Sequence, residues 1–139
     1  MPGDFLDSNV LLYLFEMNDL VKRETARNVL QSAVSGSGAT ISFQVVQEVL
    51  NGITRRSSPP ADPEDAHRLL QETLLPLWRV MPSEALYSRA IGVWSRYRYS
   101  FYDSLIIAAA LAASCTRLLS ENLQDGQRIE GLVIENPFR

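Results

Sequence analysis

Two aspartates stand in unusually apolar surroundings, and their placement raises a chemical question. Asp7 separates the short apolar run at residues 5–6 from the longer run at residues 10–15, and Asp103 opens the apolar segment "YDSLIIAAALA". Burying a carboxylate is costly unless a hydrogen-bond donor or a cation pairs with it. Each aspartate is therefore expected to cap a helix, to bind a ligand, or to do both.

Helix capping explains either aspartate taken alone. Asp7 is followed by Ser8 and Asn9, so it can be the N-cap of a helix that begins directly after it. Ser100 and Asp103 form the S-x-x-D pattern of a capping box, in which the aspartate answers a backbone N–H. At this point the capping and the ligand-binding interpretations both stay open.

Three more oxygen-bearing side chains follow a late predicted strand in "LLSENLQDG", namely Ser120, Asn122 and Asp125. Parallel sheets place their sites at the carboxyl ends of strands, where Asp7 is also predicted to lie. Carboxylates that converge there must share a proton or bind a hard cation, and an all-oxygen site suits Mg²⁺ or Mn²⁺. Asp4 does not belong to this group, because three residues of extended strand put it roughly 10 Å from Asp7.

Short apolar runs alternate with longer helical patterns, which predicts an α/β fold with a central, mostly parallel sheet of about five strands flanked by helices. The predicted strands cover residues 4–7, 39–42, 77–81, 116–119 and 131–135. The predicted helices cover residues 8–15 and 20–34, a third after Ser42 as N-cap, 62–75, a fifth from Ser83 to between 96 and 99, and 101–115. The last helix is apolar on every face and is expected to be buried all round.

Composition narrows the class of protein. With 139 residues, the chain is expected to form a single domain, residues 1–139. A net charge of −3 argues against binding nucleic acid through overall charge but permits a local basic groove. One cysteine, Cys115, excludes an internal disulfide and a cysteine-rich zinc site. The amino terminus lacks a signal-peptide pattern, and the most apolar stretch is too short to span a bilayer, so we expect a cytoplasmic protein with no membrane partner.

Four segments carry a resemblance to a known family. "FLDSNVLLYLF", "SFQVVQEVLNGI", "YSFYDSLIIAAALA" and "LLSENLQDG", in this order and spacing, resemble the PIN domain and, within it, the VapC-type toxins of bacterial toxin–antitoxin pairs. The resemblance implies a PIN-like three-layer fold and an endoribonuclease that hydrolyses RNA with Mg²⁺ or Mn²⁺, one or two ions per site. It also implies a cognate antitoxin protein and a homodimer.

The resemblance also assigns site residues. It gives catalysis and metal binding to Asp7, Glu48 and Asp103. It adds Asn122 and Asp125 as further metal ligands, with Ser8, Asn9 and Ser120 supporting them. Glu48 enters only in this way, because it lies about 130° from the centre of the apolar face of its helix, where a solvated charge is the ordinary interpretation. Asn122 stands where aspartate is frequent in the family, which argues against a second tightly held ion.

Arginines alternate with aromatic residues in "WSRYRYSFYD", directly before the second aspartate. Arg96 and Arg98 can hold phosphates while Tyr102 stacks on an unpaired base. Alternatively, the arginines favour the carboxyl end of a helix and the aromatic residues pack in the core. Arg55 and Arg56 carry the same two interpretations, RNA contact or solvated helix end.

Other catalytic classes fit less well. The only histidine, His67, lies far from these motifs in sequence, so a histidine acid–base pair is excluded and RNA cleavage would need a metal. The only lysine, Lys22, lies in an early helix, which rules out a phosphoacceptor receiver domain. The remaining alternative is a PIN-like module that binds RNA or a protein without cutting, and loss of one of the three acids would be its signature.

Overall fold

The computed structural model describes residues 3–36, 38–55 and 60–139. Within these residues the strands are β1 (Asp4–Leu6), β2 (Ala39–Ser42), β3 (Trp78–Val80), β4 (Arg117–Leu119), β5 (Arg128–Ile129) and β6 (Leu132–Glu135). They form one six-stranded sheet in the order β3–β2–β1–β4–β6–β5. Neighbouring strands are parallel except β5 and β6, which are antiparallel. The predicted mostly parallel sheet is confirmed, with β5 as an added strand.

The helices are α1 (Ser8–Leu12), α2 (Leu20–Ser35), α3 (Phe43–Arg55), α4 (Pro63–Leu69), α5 (Leu75–Leu77), α6 (Glu84–Tyr97) and α7 (Phe101–Ala112). A 3₁₀ turn, Tyr13–Phe15, extends α1, and a π-helical turn, Leu70–Leu74, joins α4 to α5. Helices flank the sheet in the three-layer α/β arrangement that the sequence predicts.

Two predicted helix ends are wrong. The fourth helix was expected to stop before Pro76, but helical structure continues to Leu77. Pro76 lies in the first turn of α5, where a backbone N–H is not needed, so the ring is tolerated. The last helix ends at Ala112 rather than Cys115, because Ser114 adopts a left-handed backbone with φ of 58°.

The strand register brings two predicted site positions together. β1 lies between β2 and β4, and Leu6 of β1 is in register with Leu119 of β4. The backbone N–H of Asp7 donates to the Leu119 carbonyl at 3.0 Å. Asp7 and Ser120, which follow these two strands, therefore lie side by side at the carboxyl edge of the sheet.

Helix α7 is buried on every face along its middle, as predicted, but not at its start. Its residues 104–110 are buried, while Phe101 and Tyr102 at its start are exposed and Asp103 is half-buried. The first turn of this apolar helix thus reaches the surface at the edge of the core. Among the described residues, no helix is both long enough and apolar enough to cross a membrane.

Candidate metal centre

Asp7 fills the first of the two roles that the sequence left open, that of a helix cap. It is the N-cap of α1, because the Ser8 backbone N–H donates to its Oδ1 at 2.7 Å. Its Oδ2 accepts a hydrogen bond from the Ser120 hydroxyl at 2.7 Å and a longer one from the Asn9 amide at 3.4 Å. Asp7 is only 6% exposed, so its carboxylate is buried. The hydrogen-bond donors described for it are all uncharged.

The electrostatics of Asp7 show which other acids are near it. Burial, more than any other cause, raises the pKa of Asp7 from 3.8 to about 6. The hydrogen bonds from Ser120 and from the Ser8 amide lower this pKa, while the charges of Glu48 and Asp103 raise it further. Glu48 on α3 and Asp103 on α7 therefore lie close enough to Asp7 for their charges to act on it.

Asp103 occupies the third position of α7, and the predicted capping box is only half formed. Its backbone N–H donates to the Ser100 hydroxyl at 3.1 Å, so Ser100 is the N-cap. Within the described residues, no group hydrogen-bonds or pairs with the Asp103 carboxylate itself. The carboxylate is half-buried at the start of the helix and remains available to a ligand.

Glu48 lies half-buried on α3, the helix that follows β2. One turn earlier on the same helix, the Gln44 amide nitrogen donates to Glu48 Oε2 at 3.3 Å and to the Tyr102 carbonyl at 3.1 Å. Gln44 thus connects Glu48 with the residue that precedes Asp103. Gln44 was not predicted as a site residue. Its polar side chain within an apolar helix face is the only sequence feature that could have indicated it.

The chemistry of these side chains fits a hard cation. Asp7, Glu48 and Asp103 offer only carboxylate oxygens to an ion, and oxygen is the ligand type preferred by Mg²⁺ and Mn²⁺. Across the ranges that the structure describes, no three histidine, cysteine, aspartate or glutamate side chains are gathered closely enough to hold a metal ion as they stand. Asp7, Glu48 and Asp103 would therefore have to close around an ion by side-chain rotation.

The supporting polar residues form a connected group beside Asp7. The Asn9 amide contacts the Ser120 hydroxyl at 3.4 Å, and its oxygen accepts from the Glu121 N–H at 3.1 Å. The Asn122 N–H donates to the same Ser120 hydroxyl at 3.2 Å. Ser8 takes part through its backbone. These bonds fix the loop after β4 against the amino end of α1.

Two predicted ligands are placed differently from the three acids. The Asn122 side chain is exposed, and only its backbone contacts the group. Asp125 accepts from the Asn136 N–H at 2.8 Å through Oδ1 and pairs with Arg139 at 2.8 Å through Oδ2. Because both carboxylate oxygens have partners near the carboxyl terminus, the structure does not bring Asp125 to Asp7.

A second polar cluster borders the loop after β4. Lys22 Nζ pairs with Glu121 Oε2 at 2.7 Å and lies 3.1 Å from the Tyr13 hydroxyl, which in turn donates to Glu121. Partial burial alone would raise the pKa of Glu121, but the hydrogen bonds from Lys22 and Tyr13 lower it. No sequence pattern predicts this contact, because its members lie in three separate segments.

The predicted RNA-contact residues within the described ranges are all exposed. Tyr102 is 68% exposed beside Asp103, and Arg55, Arg96 and Arg98 are also exposed. The neighbouring aromatic residues of the motif, Tyr97 and Tyr99, pack against the core instead. Arg56 lies outside the described residues.

Comparisons with known proteins identify a family and solved structures of similar fold. The PIN domain family model matches residues 5–124. A toxin–antitoxin complex from Klebsiella pneumoniae contains a chain of similar fold, with a TM-score of 0.71, 21% identity and coverage of 98% of each chain.

Two further solved structures share the fold. VapC20 from Mycobacterium tuberculosis, a sarcin–ricin loop cleaving toxin, has a TM-score of 0.64 and 19% identity over 84% of this chain and 87% of its own. FitAcB from Neisseria gonorrhoeae has a TM-score of 0.65 and 18% identity over 96% of this chain and 97% of its own. No curated protein matches the chain closely enough to count as a relative.

Proposed function

The chain belongs to the PIN domain family, and on that premise we propose that it is a metal-dependent endoribonuclease, the toxin of a toxin–antitoxin pair. One observation carries the proposal. The buried Asp7 carboxylate, at the end of the central strand, is electrostatically coupled to Glu48 and Asp103 and has no cationic side chain among its described partners. A divalent ion bound beside Asp7 would neutralise this repulsion.

The proposed chemistry assigns a task to each acid. Asp7, Glu48 and Asp103 would hold Mg²⁺ or Mn²⁺, and the bound ion would supply the Lewis acidity that phosphodiester hydrolysis needs. The Ser120 hydroxyl and the Ser8 amide hold the two Asp7 oxygens in fixed directions. Glu48 and Asp103 are both half-buried, so part of each residue is accessible to solvent and to an RNA phosphate. A single ion is favoured, because Asp125 is engaged elsewhere and Asn122 carries no charge.

Tyr102 is the side chain best placed to contact an RNA base near this centre. We expect Tyr102→Ala to raise the KM for RNA about 10-fold and to leave kcat within about twofold, because stacking on one base contributes about 1–3 kcal/mol. Steady-state cleavage of a short fluorescent RNA measures both constants. Val34→Ala, which shortens another exposed apolar side chain near the end of α2, is the control. An unchanged KM for Tyr102→Ala would remove Tyr102 from the RNA-binding surface.

The partners follow from the same proposal. The Klebsiella structure is a toxin–antitoxin complex, and a Rickettsia felis VapBC2 with similar fold is bound to a DNA fragment from its promoter. These structures support a cognate antitoxin as the partner of this chain. A homodimer is supported by an exposed apolar stripe on α6, formed by Tyr87, Ile91 and Trp94. We place the protein in the cytoplasm, where its RNA substrates are found.

The direct test is RNA cleavage by the purified chain without a partner. We expect degradation of total cellular RNA in Mg²⁺ or Mn²⁺, complete loss of cleavage in excess EDTA, and recovery when Mn²⁺ is added back in excess. Histidine is not available near the acids for a metal-independent route. Cleavage that persists in EDTA would contradict the proposal, and RNA binding without cleavage in either metal would favour the non-cleaving module.

A further inference from the structure

We propose that Gln44 is a positioning residue of the metal centre, which holds the Glu48 carboxylate in place and ties α3 to the first turn of α7. The inference rests on the proposed function, because it concerns how the acids of that site are arranged. Gln44 is only 4% exposed and lies in the first turn of α3, one helical turn before Glu48. It belongs neither to the acids nor to the polar group around Ser120.

The hydrogen bonds of Gln44 join the two acids that come from helices. Its Nε2 donates to Glu48 Oε2 at 3.3 Å and to the Tyr102 carbonyl oxygen at 3.1 Å. Tyr102 directly precedes Asp103 in α7. One amide group therefore contacts a metal-binding acid on one side and the backbone next to another acid on the opposite side.

The orientation of this amide is fixed by its partners. A carboxylate oxygen and a backbone carbonyl oxygen both accept hydrogen bonds, so only the NH₂ group can face them. Rotating the amide by 180° would set its oxygen against the Glu48 carboxylate and the Tyr102 carbonyl. Gln44 thus presents a donor to both helices at once and anchors Oε2 of Glu48, while Oε1 of Glu48 has no hydrogen-bond partner among the described residues.

Packing alone does not account for a glutamine at this position. Its Oε1 is buried and has no hydrogen-bond partner within the described residues, and an unpaired buried acceptor destabilises a protein. The neighbouring core positions of α3 carry Val45, Val46 and Val49. An apolar side chain of similar length would avoid the unpaired oxygen, so the residue serves the donor contacts that Nε2 makes.

These contacts have a consequence for metal binding. Groups that orient a ligand from behind change metal affinity by about 10–100-fold when they are removed. Without the Gln44 amide, Glu48 loses its only described hydrogen-bond donor and can rotate into solvent. The hydrogen bond that joins α3 to the Tyr102 carbonyl at the start of α7 is also lost. Mn²⁺ would then bind more weakly although every metal ligand is still present.

The test uses Gln44→Met, which keeps the unbranched shape and removes both hydrogen bonds, with Gln44→Leu as a second variant. Gln47→Leu, at an exposed position of the same helix, is the matched control. We titrate the purified proteins with Mn²⁺ alone by calorimetry. We expect about 10-fold weaker Mn²⁺ binding for both Gln44 variants, unchanged binding for Gln47→Leu, and melting temperatures of the metal-free variants no lower than that of the original chain.

RNA cleavage supplies a second readout that a purely structural role would not give. Gln44→Met should cleave poorly at low Mn²⁺ and recover at saturating Mn²⁺, because its ligands are intact. Mn²⁺ affinities of the Gln44 variants within twofold of the original chain would overturn the inference alone. An original chain that takes up no Mn²⁺ would overturn both this inference and the proposed metal-dependent function.

Discussion

Replacing Asp7 with asparagine is expected to stabilise the metal-free protein by about 2 kcal/mol at neutral pH, and to abolish RNA cleavage. Burial raises the pKa of Asp7 from 3.8 to about 6, a difference that corresponds to about 3 kcal/mol of destabilisation when the carboxylate is charged. Asparagine removes that charge. It keeps one oxygen acceptor for the Ser8 amide or the Ser120 hydroxyl and loses the other, so the gain is smaller than the full electrostatic cost.

The pH dependence of this effect has a definite sign. Above about pH 6 the Asp7 carboxyl is charged in both the folded and the unfolded chain, so its burial lowers the free energy of unfolding. Below about pH 4 it is protonated in both states, and that cost is gone. The stability advantage of Asp7→Asn over the original chain should therefore be full at pH 7.5 and should shrink as pH falls from about 6 to about 4.

Urea unfolding in EDTA at pH 7.5 and pH 4.5 measures this difference. Asp4→Asn is the control with the opposite sign, because Asp4 lies at the other end of β1 and pairs with Arg117 at 2.6 Å. Loss of that pair should destabilise the protein by about 1 kcal/mol. An Asp7→Asn variant less stable than the original chain at pH 7.5 would mean that Asp7 acts as a structural N-cap. The buried Asp7 charge would then not destabilise the folded chain.

The second large effect is expected at Asp103. Asp103→Asn should lower RNA cleavage about 1000-fold, equivalent to about 4 kcal/mol of transition-state stabilisation, while the free energy of unfolding changes by less than about 1 kcal/mol. The reason is that this carboxylate has no described structural partner, whereas the capping bond uses the backbone N–H of the residue. Its removal takes away a metal ligand without breaking the helix start.

Asp65→Asn is a closely matched control for this variant. Asp65 is the third residue of α4, as Asp103 is of α7, and its backbone N–H likewise donates to the N-cap side chain, here Asp62, at 2.8 Å. It is exposed and lies on another helix. Asp65→Asn should cleave RNA as the original chain does. Equal activity of the Asp103→Asn preparation would indicate a contaminating nuclease.

The sequence was sufficient to predict the sheet and the edge at which the site lies. Asp7 follows a short apolar run and is itself followed by a helix pattern, and this local information fixes a strand end. The same holds for Ser120 after β4. Parallel pairing of β1 with β4 then places the ends of the two strands side by side. The two-residue strand β5 could not be predicted in this way, because a segment that short carries no periodicity.

The details of the site depend on contacts that no local pattern contains. Gln44 reaches α7 across the fold, and Lys22 pairs with Glu121 far along the chain. Asp125 was predicted as a ligand from its motif, but its oxygens are taken by Asn136 and Arg139, which no spacing rule indicates. Residue types and spacing therefore predicted which acids to consider, while only tertiary contacts show that Glu48 and Asp103 lie near Asp7 and that Asp125 is bonded to other residues.

The proposed nuclease function requires that Asp7, Glu48 and Asp103 together hold one divalent ion. A crystal structure of the chain grown with Mn²⁺, with anomalous data collected at the manganese edge, tests it directly. We expect one strong anomalous peak, about 2 Å from carboxylate oxygens of all three residues, with Glu48 still bonded to Gln44. A peak at other residues, or no peak under conditions in which the chain cleaves RNA, would contradict the account.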